Sequence, residues 1–281
     1  MEKTPGLEAQ DILRDGVLLL EELVARGLPV PDLQGALVAL EPPRPPEKPK
    51  AETPTGRAQK GGGDLKLKAP AAPRVAVNRE ALAALDEAGL CAAAQTCGAC
   101  KLADTRTKVA FANGQPLRGV MFVGEGPGQT EDETGQPFVG RAGKLLDQMI
   151  AALGWKRPEV LVTNIVKCRP PGNRDPEADE VTACRPWLDA QLKLAAPKLL
   201  VAIGRPAAQS LLATTQSLSG LRGKVHSLGG IPLVVTYHPA YLLRSPANKA
   251  EAWKDLRFLR QTLDQLQAGQ AVAVNGLRVG G

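Results

Sequence analysis

Apolar positions fall into two regimes along the chain. In residues 1–40 they recur at near-helical spacing, at Leu7, Ile12, Leu13, Val17, Leu20, Leu23 and Val24, and the run stops at Gly27, which predicts one amphipathic helix. From about residue 76 the pattern becomes short apolar runs alternating with helical stretches. Val120–Val123, Val160–Thr163, Leu199–Ile203 and Leu233–Thr236 read as buried strands. An Asn78-capped helix is predicted over Arg79–Leu90, and further helices over about 142–153, 177–195, 205–213 and 248–268. This alternation predicts an α/β fold: a three-layer α/β/α domain with a parallel sheet, over residues 76–281.

Between the two regimes, residues 41–75 hold eight prolines and the Gly61-Gly62-Gly63 run. Such a stretch cannot bury enough apolar surface to offset its ordering entropy, so it reads as a flexible linker. The helix before it is too small to be a domain. It could dock on the body or present its apolar face to a protein partner.

Each predicted strand runs at once into polar or glycine-rich residues: Gly124-Glu125-Gly126-Pro127-Gly128, Asn164, Gly204, and His238-Pro239. Ligands of open parallel sheets bind outside the carboxyl ends of the strands, so these four segments are expected to converge on one pocket.

Charge adds the class of ligand. Residues 1–40 carry three basic and seven acidic side chains and residues 41–74 eight and four, which leaves 24 and 18 for the remainder. The folded body therefore has its own basic excess, as suits a polyanionic partner such as nucleic acid. No apolar run approaches the roughly 18 to 20 residues of a membrane span, and the start, MEKTPGLEAQ, lacks a basic stretch followed by an apolar one. The expectation is a cytoplasmic protein with no membrane partner. In that reducing setting the five cysteines are not read as disulfides.

Those cysteines are Cys91, Cys97, Cys100, Cys168 and Cys184. Cys97-Gly-Ala-Cys100 is a C-x-x-C pair, and with Cys168 and Cys184 it supplies four thiolates from three segments, enough for tetrahedral zinc or an iron-sulfur cluster. A zinc ribbon usually offers two close pairs; a single close pair tilts the reading toward the cluster. Cys91 is left over and is expected to be a packed thiol.

The Gly124–Gly128 turn lacks the Lys-Ser/Thr ending of a P-loop and the spacing of a dinucleotide fingerprint. Its glycines would instead let backbone N–H groups approach a base or phosphate closely. Glu131 and Asp132 come next, expected to be solvated, and then Phe138, a candidate stacking platform in a chain with few aromatics. Of the two histidines, His238 would point into the pocket, whereas His226 is expected on the surface in a turn or hairpin.

Taken together, GEGPGQTEDETGQPFVGRAG (124–143), VTNIVKCRPPGNR (162–174), the C-x-x-C pair and YHPAYLLR (237–244) resemble the type-4, iron-sulfur class of uracil-DNA glycosylases, over about residues 90–265. The resemblance implies a four-stranded parallel sheet, a 4Fe-4S cluster on Cys97, Cys100, Cys168 and Cys184, and uracil-containing DNA as partner. It implies that Gly124 and Gly126 help line the base pocket, Phe138 stacks on a flipped uracil, Asn164 reads its amide edge, and His238 stabilises the departing base near O2. Where the best-known branch of the superfamily has a water-positioning aspartate, this chain has Gly126. Glu125 and Glu131 remain as carboxylates that could orient water or exclude the thymine methyl. The family uses the loop holding Leu242, Leu243 and Arg244 against the DNA minor groove, which implies an apolar wedge and a phosphate contact there; Leu242 and Arg244 are the candidates, and either leucine could equally open a helix from the core.

The expected protein is a monomeric, monofunctional uracil-DNA glycosylase. Its alternative is a non-catalytic iron-sulfur DNA-binding module that recruits a partner through the N-terminal helix. A zinc-bound nucleotide hydrolase would need a metal-water ligand set that the sequence does not show.

Overall fold

The computed structural model describes residues 74–274 and 277–279. The expected N-terminal helix, and the linker up to residue 73, lie outside the described residues.

Helix α1 (Arg79–Ala83) starts at Asn78, whose side chain accepts the N–H groups of Glu80 and Ala81, and α2 (Glu87–Gln95) starts afresh at Asp86, which accepts from Gly89. The single helix predicted over 79–90 is therefore two. Asp86 favours a cap over a helix interior, because its carboxylate competes for backbone N–H groups.

Four strands then run in parallel: β1 (Val120–Gly124), β2 (Leu161–Asn164), β3 (Leu199–Ile203) and β5 (Ile231–Thr236), in the order β2-β1-β3-β5. The sheet has a fifth strand that the apolar pattern does not predict. Strand β4 (His226–Leu228) pairs antiparallel with β5 at the edge, through a turn at Gly229-Gly230 where both φ angles are positive. Two-residue hairpins of this kind match the twist of the strands they join, and glycine takes the required conformation without Cβ strain. His226 does stand in that hairpin, but it is 5% exposed, with Nε2 2.7 Å from the Leu221 carbonyl oxygen, so the expected surface position is corrected to a buried one.

Alternation along the strands builds the layers. Leu199, Val201 and Ile203 of β3 face a core shared with α4 (Arg141–Ala152) and α9 (Lys249–Gln267). Leu200 and Ala202 face the opposite core, shared with α5 (Ala178–Ala195) and α6 (Arg205–Leu212). Residues two apart on a strand share a face, so one sheet carries helices on both sides. A third cluster packs α1, α2 and the cysteine-bearing segment against α5 through Leu82, Leu90, Leu102, Phe111 and Trp187. Short helices α3 (Gln129–Thr134), α7 (Leu218–Leu221) and α8 (Pro239–Arg244) connect the larger elements, and β6 (Val272–Val274) pairs with β7 (Leu277–Val279) near the C-terminus. None of the described helices is long and apolar enough to cross a membrane.

Candidate active site

Because the four strands are parallel, their carboxyl ends share one edge of the sheet, and Gly124 sits in register with Asn164. At that edge lies a cavity of about 770 Å³ lined by Glu125, Phe138, Asn164, Arg205, His238 and Tyr241, among others. The four strand-end segments expected to converge do so.

The pocket floor requires glycine. A Cβ on Gly124 would stand 2.4 Å from Phe138 Cζ and 2.5 Å from Asn164 Oδ1, so only an absent side chain lets ring and amide meet there. A Cβ on Gly126 would come within 2.9 Å of a Val166 methyl. Phe138 itself holds a positive φ of 56° and is 5% exposed, an uncommon backbone state for a bulky residue and typical of functional sites. Its ring lies 5.6 Å from that of His238, tilted by 35°.

Asn164 is 1% exposed, and neither Oδ1 nor Nδ2 has a hydrogen-bond partner in the protein. An amide left this way loses its water without compensation, a cost of about 1–3 kcal/mol per group. A planar ligand carrying a donor beside an acceptor would remove that cost.

His238 caps α8: its Nδ1 accepts the Ala240 N–H at 3.1 Å. Burial pulls its pKa down to about 4, helped by the Arg244 charge and opposed by Glu131, so the ring is neutral at pH 7. A neutral imidazole that accepts at Nδ1 carries its proton on Nε2.

Glu125 stands just after β1. Burial first, then the charge and hydrogen bond of Asp175, push its pKa up to about 7 against the pull of Arg205. Arg205 is itself paired with Asp175 at 3.7 Å. Arg174, nearby, is committed to the buried Glu180 through two hydrogen bonds of 2.8 and 2.6 Å.

Three expected placements need correction here. Glu131 is buried rather than solvated: Oε2 accepts the Gly128 N–H at 3.1 Å and Oε1 those of Val139 and Gly140 at 3.0 and 2.8 Å. Its carboxylate buckles the glycine loop to the start of α4. Asp132 is likewise buried, accepting from the Thr107 N–H at 2.8 Å. Leu242 is 1% exposed within the core and cannot be a wedge in this conformation, whereas Leu243, about 100° round the helix, is 38% exposed and Arg244 is exposed at the pocket rim.

The four cysteines of the expected ligand set line one small cavity. Among the described residues no three His, Cys, Asp or Glu side chains close on a single-ion site. Each sulfur nevertheless faces an N–H donor: Trp187 Nε1 to Cys97 at 3.3 Å, Arg106 Nη1 to Cys168 at 3.4 Å, the Lys167 N–H to Cys184 at 3.4 Å, and the Leu102 N–H to Cys100. Burial pushes the Cys168 thiol up to about 12 and the Cys184 thiol to about 11. Cys91 is exposed, not packed.

Asp175, Arg205, Tyr241 and Lys167 join the site or its surroundings without a motif of their own in the sequence. Tyr241 lines the cavity rim and stacks on Tyr237 with centroids 5.4 Å apart. Lys167, at 2% exposure, had one signal: a lysine inside the apolar run Ile165-Val166-Lys167-Cys168.

Residues 111–257 match the uracil DNA glycosylase superfamily. The chain is 43% identical over 175 residues to the type-4 uracil-DNA glycosylase of Sulfurisphaera tokodaii, covering 59% of this chain and 80% of that protein. It is 41% identical over 170 residues to the type-4 enzyme of Pyrobaculum aerophilum, covering 58% and 87%, and 43% identical over 155 residues to that of Thermotoga maritima, covering 54% and 81%.

Proposed function

The chain belongs to the type-4 uracil-DNA glycosylases, and on that premise we propose how its own residues excise uracil from DNA. A base inside the duplex exposes neither its edge nor its glycosidic bond, so the nucleotide must leave the stack and enter the strand-end cavity. Uracil stacks on Phe138. Asn164 Oδ1 accepts from uracil N3–H while Nδ2 donates to O4. Cytosine offers the opposite pattern at both positions and leaves the amide unsatisfied.

Cleavage of the C1′–N1 bond leaves the electron pair on uracil and positive charge on the sugar. The Nε2–H of the neutral His238 donates to O2, where negative charge gathers in the transition state. Glu125, when ionised, orients water toward C1′ and accepts its proton as the C1′–O bond forms. The products are free uracil and an abasic site. Arg244 at the rim would meet a phosphate, and the exposed Leu243 next to it would serve as the wedge.

Cys97, Cys100, Cys168 and Cys184 are the residues that would hold a 4Fe-4S cluster. The N–H donors at all four, and the burial of Cys168 and Cys184, suit thiolates bound to a multinuclear cation, since thiols as desolvated as those two ionise only against positive charge. The cluster's contribution is structural: it would tie the end of α2, the segment after β2 and α5 together. Reduced thiolates favour a cytoplasmic setting.

One observation carries this reading: the amide of Asn164, buried and unpartnered at the cavity floor. A non-catalytic DNA-binding module has no use for it. The test is incubation of anaerobically purified protein with a uracil-containing oligonucleotide and mass identification of the released base. Asn164→Asp should slow uracil release sharply; release at the unchanged single-turnover rate would overturn the assignment.

A further inference from the structure

Lys167 is 2% exposed, and its Nζ meets three oxygen acceptors: Thr163 Oγ1 at 2.6 Å, the Asn164 carbonyl oxygen at 2.7 Å and Gln191 Oε1 at 2.5 Å. Two of those acceptors are themselves held to one point, since Thr163 Oγ1 and Gln191 Nε2 both donate to the Phe111 carbonyl at 2.7 and 3.1 Å. From its backbone the same residue reaches the other way, its N–H donating to Cys184 Sγ at 3.4 Å and its carbonyl accepting from Ala110. Burying a polar head group gives up its hydration, and an apolar side chain of similar length would fill the space without that cost. What Nζ adds is a fixed anchor on the last carbonyl of β2, the peptide unit that carries the Asn164 side chain.

We propose that Lys167 is a positioning residue that ties the thiolate cage to Asn164, so that recognition of the uracil edge depends on a side chain that never touches the base. The inference rests on Asn164 being the uracil reader. The amide needs both its donor and its acceptor aligned with one planar edge. An unanchored carbonyl at the strand end would let the residue rotate, weakening base recognition while leaving the DNA-facing rim as it is.

The test uses the full chain and two ligands, free uracil and an abasic-site oligonucleotide. In Lys167→Met the inhibition constant for free uracil should rise by about tenfold, a loss comparable to one hydrogen bond. Affinity for the abasic oligonucleotide should stay within about twofold, with iron content and visible spectrum as in the wild type. A change confined to the fraction of folded protein would lower activity without moving either constant. Should Lys167→Met yield no soluble protein, Thr163→Val removes one acceptor of the anchor, and a rise of about threefold in the uracil constant is expected. A uracil constant within about twofold of wild type in the variant that folds overturns the inference. Asn164→Ala run alongside separates the two claims: if it too leaves uracil binding unchanged, the reading of Asn164 has failed; if it alone weakens binding, only the role of Lys167 has.

Discussion

His238 Nδ1 accepts the backbone N–H of Ala240 at 3.1 Å, and this contact settles which nitrogen of the catalytic candidate can donate. The cap that starts α8 also sets the tautomer, leaving Nε2–H for the cavity. One local hydrogen bond thus serves both the fold and the chemistry proposed for the pocket.

His238→Ala should therefore lower the single-turnover rate of uracil release by about two or more orders of magnitude, the range usual for removing a transition-state donor. Binding to uracil-containing DNA should change far less. With the ring's pKa near 4, the neutral donor persists at all pH values above about 5, so its titration should leave no step in the rate profile there. The check is rapid-quench kinetics of wild type and variant under enzyme excess. A variant that cleaves at the wild-type rate would move the search for the electrophile to the N–H groups of the Gly124–Gly128 loop.

Each of Cys97→Ala, Cys100→Ala, Cys168→Ala and Cys184→Ala should abolish the brown colour expected from the proposed cluster and impair folding, because each opens the cavity that all four line. Cys91→Ala should do neither, as that thiol faces solvent. Iron analysis and visible spectra of anaerobically prepared variants decide. Stoichiometric zinc without iron in protein made under iron-sufficient conditions would refute the cluster.

Leu242 and Leu243 should fail in different assays. Leu242→Ala leaves a hole in the core, for which about 2–5 kcal/mol of stability is expected, seen as a fall in melting temperature. Leu243→Ala should leave stability nearly unchanged and slow excision from duplex DNA by about tenfold, with less effect on single strands, where no gap needs filling. Equal effects on both substrates would count against a wedge.

The parallel strands and the strand-end site are legible in the sequence for a common reason: buried parallel strands read as continuous apolar runs, and the residues at their carboxyl ends, Gly124, Asn164, Gly204 and His238, break that pattern. Strand β4 was not legible, being three residues long with Ser227 between His226 and Leu228. Glu131 looked solvated because its partners, Val139 and Gly140, lie eight and nine residues away and become neighbours only when the loop closes. The two leucines of α8 could not be told apart, since consecutive helical positions point about 100° apart and only packing says which way is inward. Asp175 and Lys167 act through groups that sequence spacing does not bring together.

On the acid side, the pH profile should report Glu125. In the role proposed for it this carboxylate must be ionised to orient water and accept its proton, and burial with the neighbouring Asp175 holds its pKa near 7. The single-turnover rate should then rise with pH through about 7 and level off above it, the protonated form predominating below. Asp175→Asn removes a negative charge beside Glu125, easing its ionisation, so the midpoint of the rise should move to lower pH while the plateau rate changes little. Arg205→Ala removes the opposing positive charge and should move the midpoint the other way. Glu125→Gln should abolish the pH-dependent rise and slow the reaction by about two orders of magnitude, within the range of general-base contributions. Rate profiles between pH 5 and 9 for these variants, at fixed ionic strength, are the measurement. A midpoint unmoved by both Asp175→Asn and Arg205→Ala would mean that the titrating group is not Glu125.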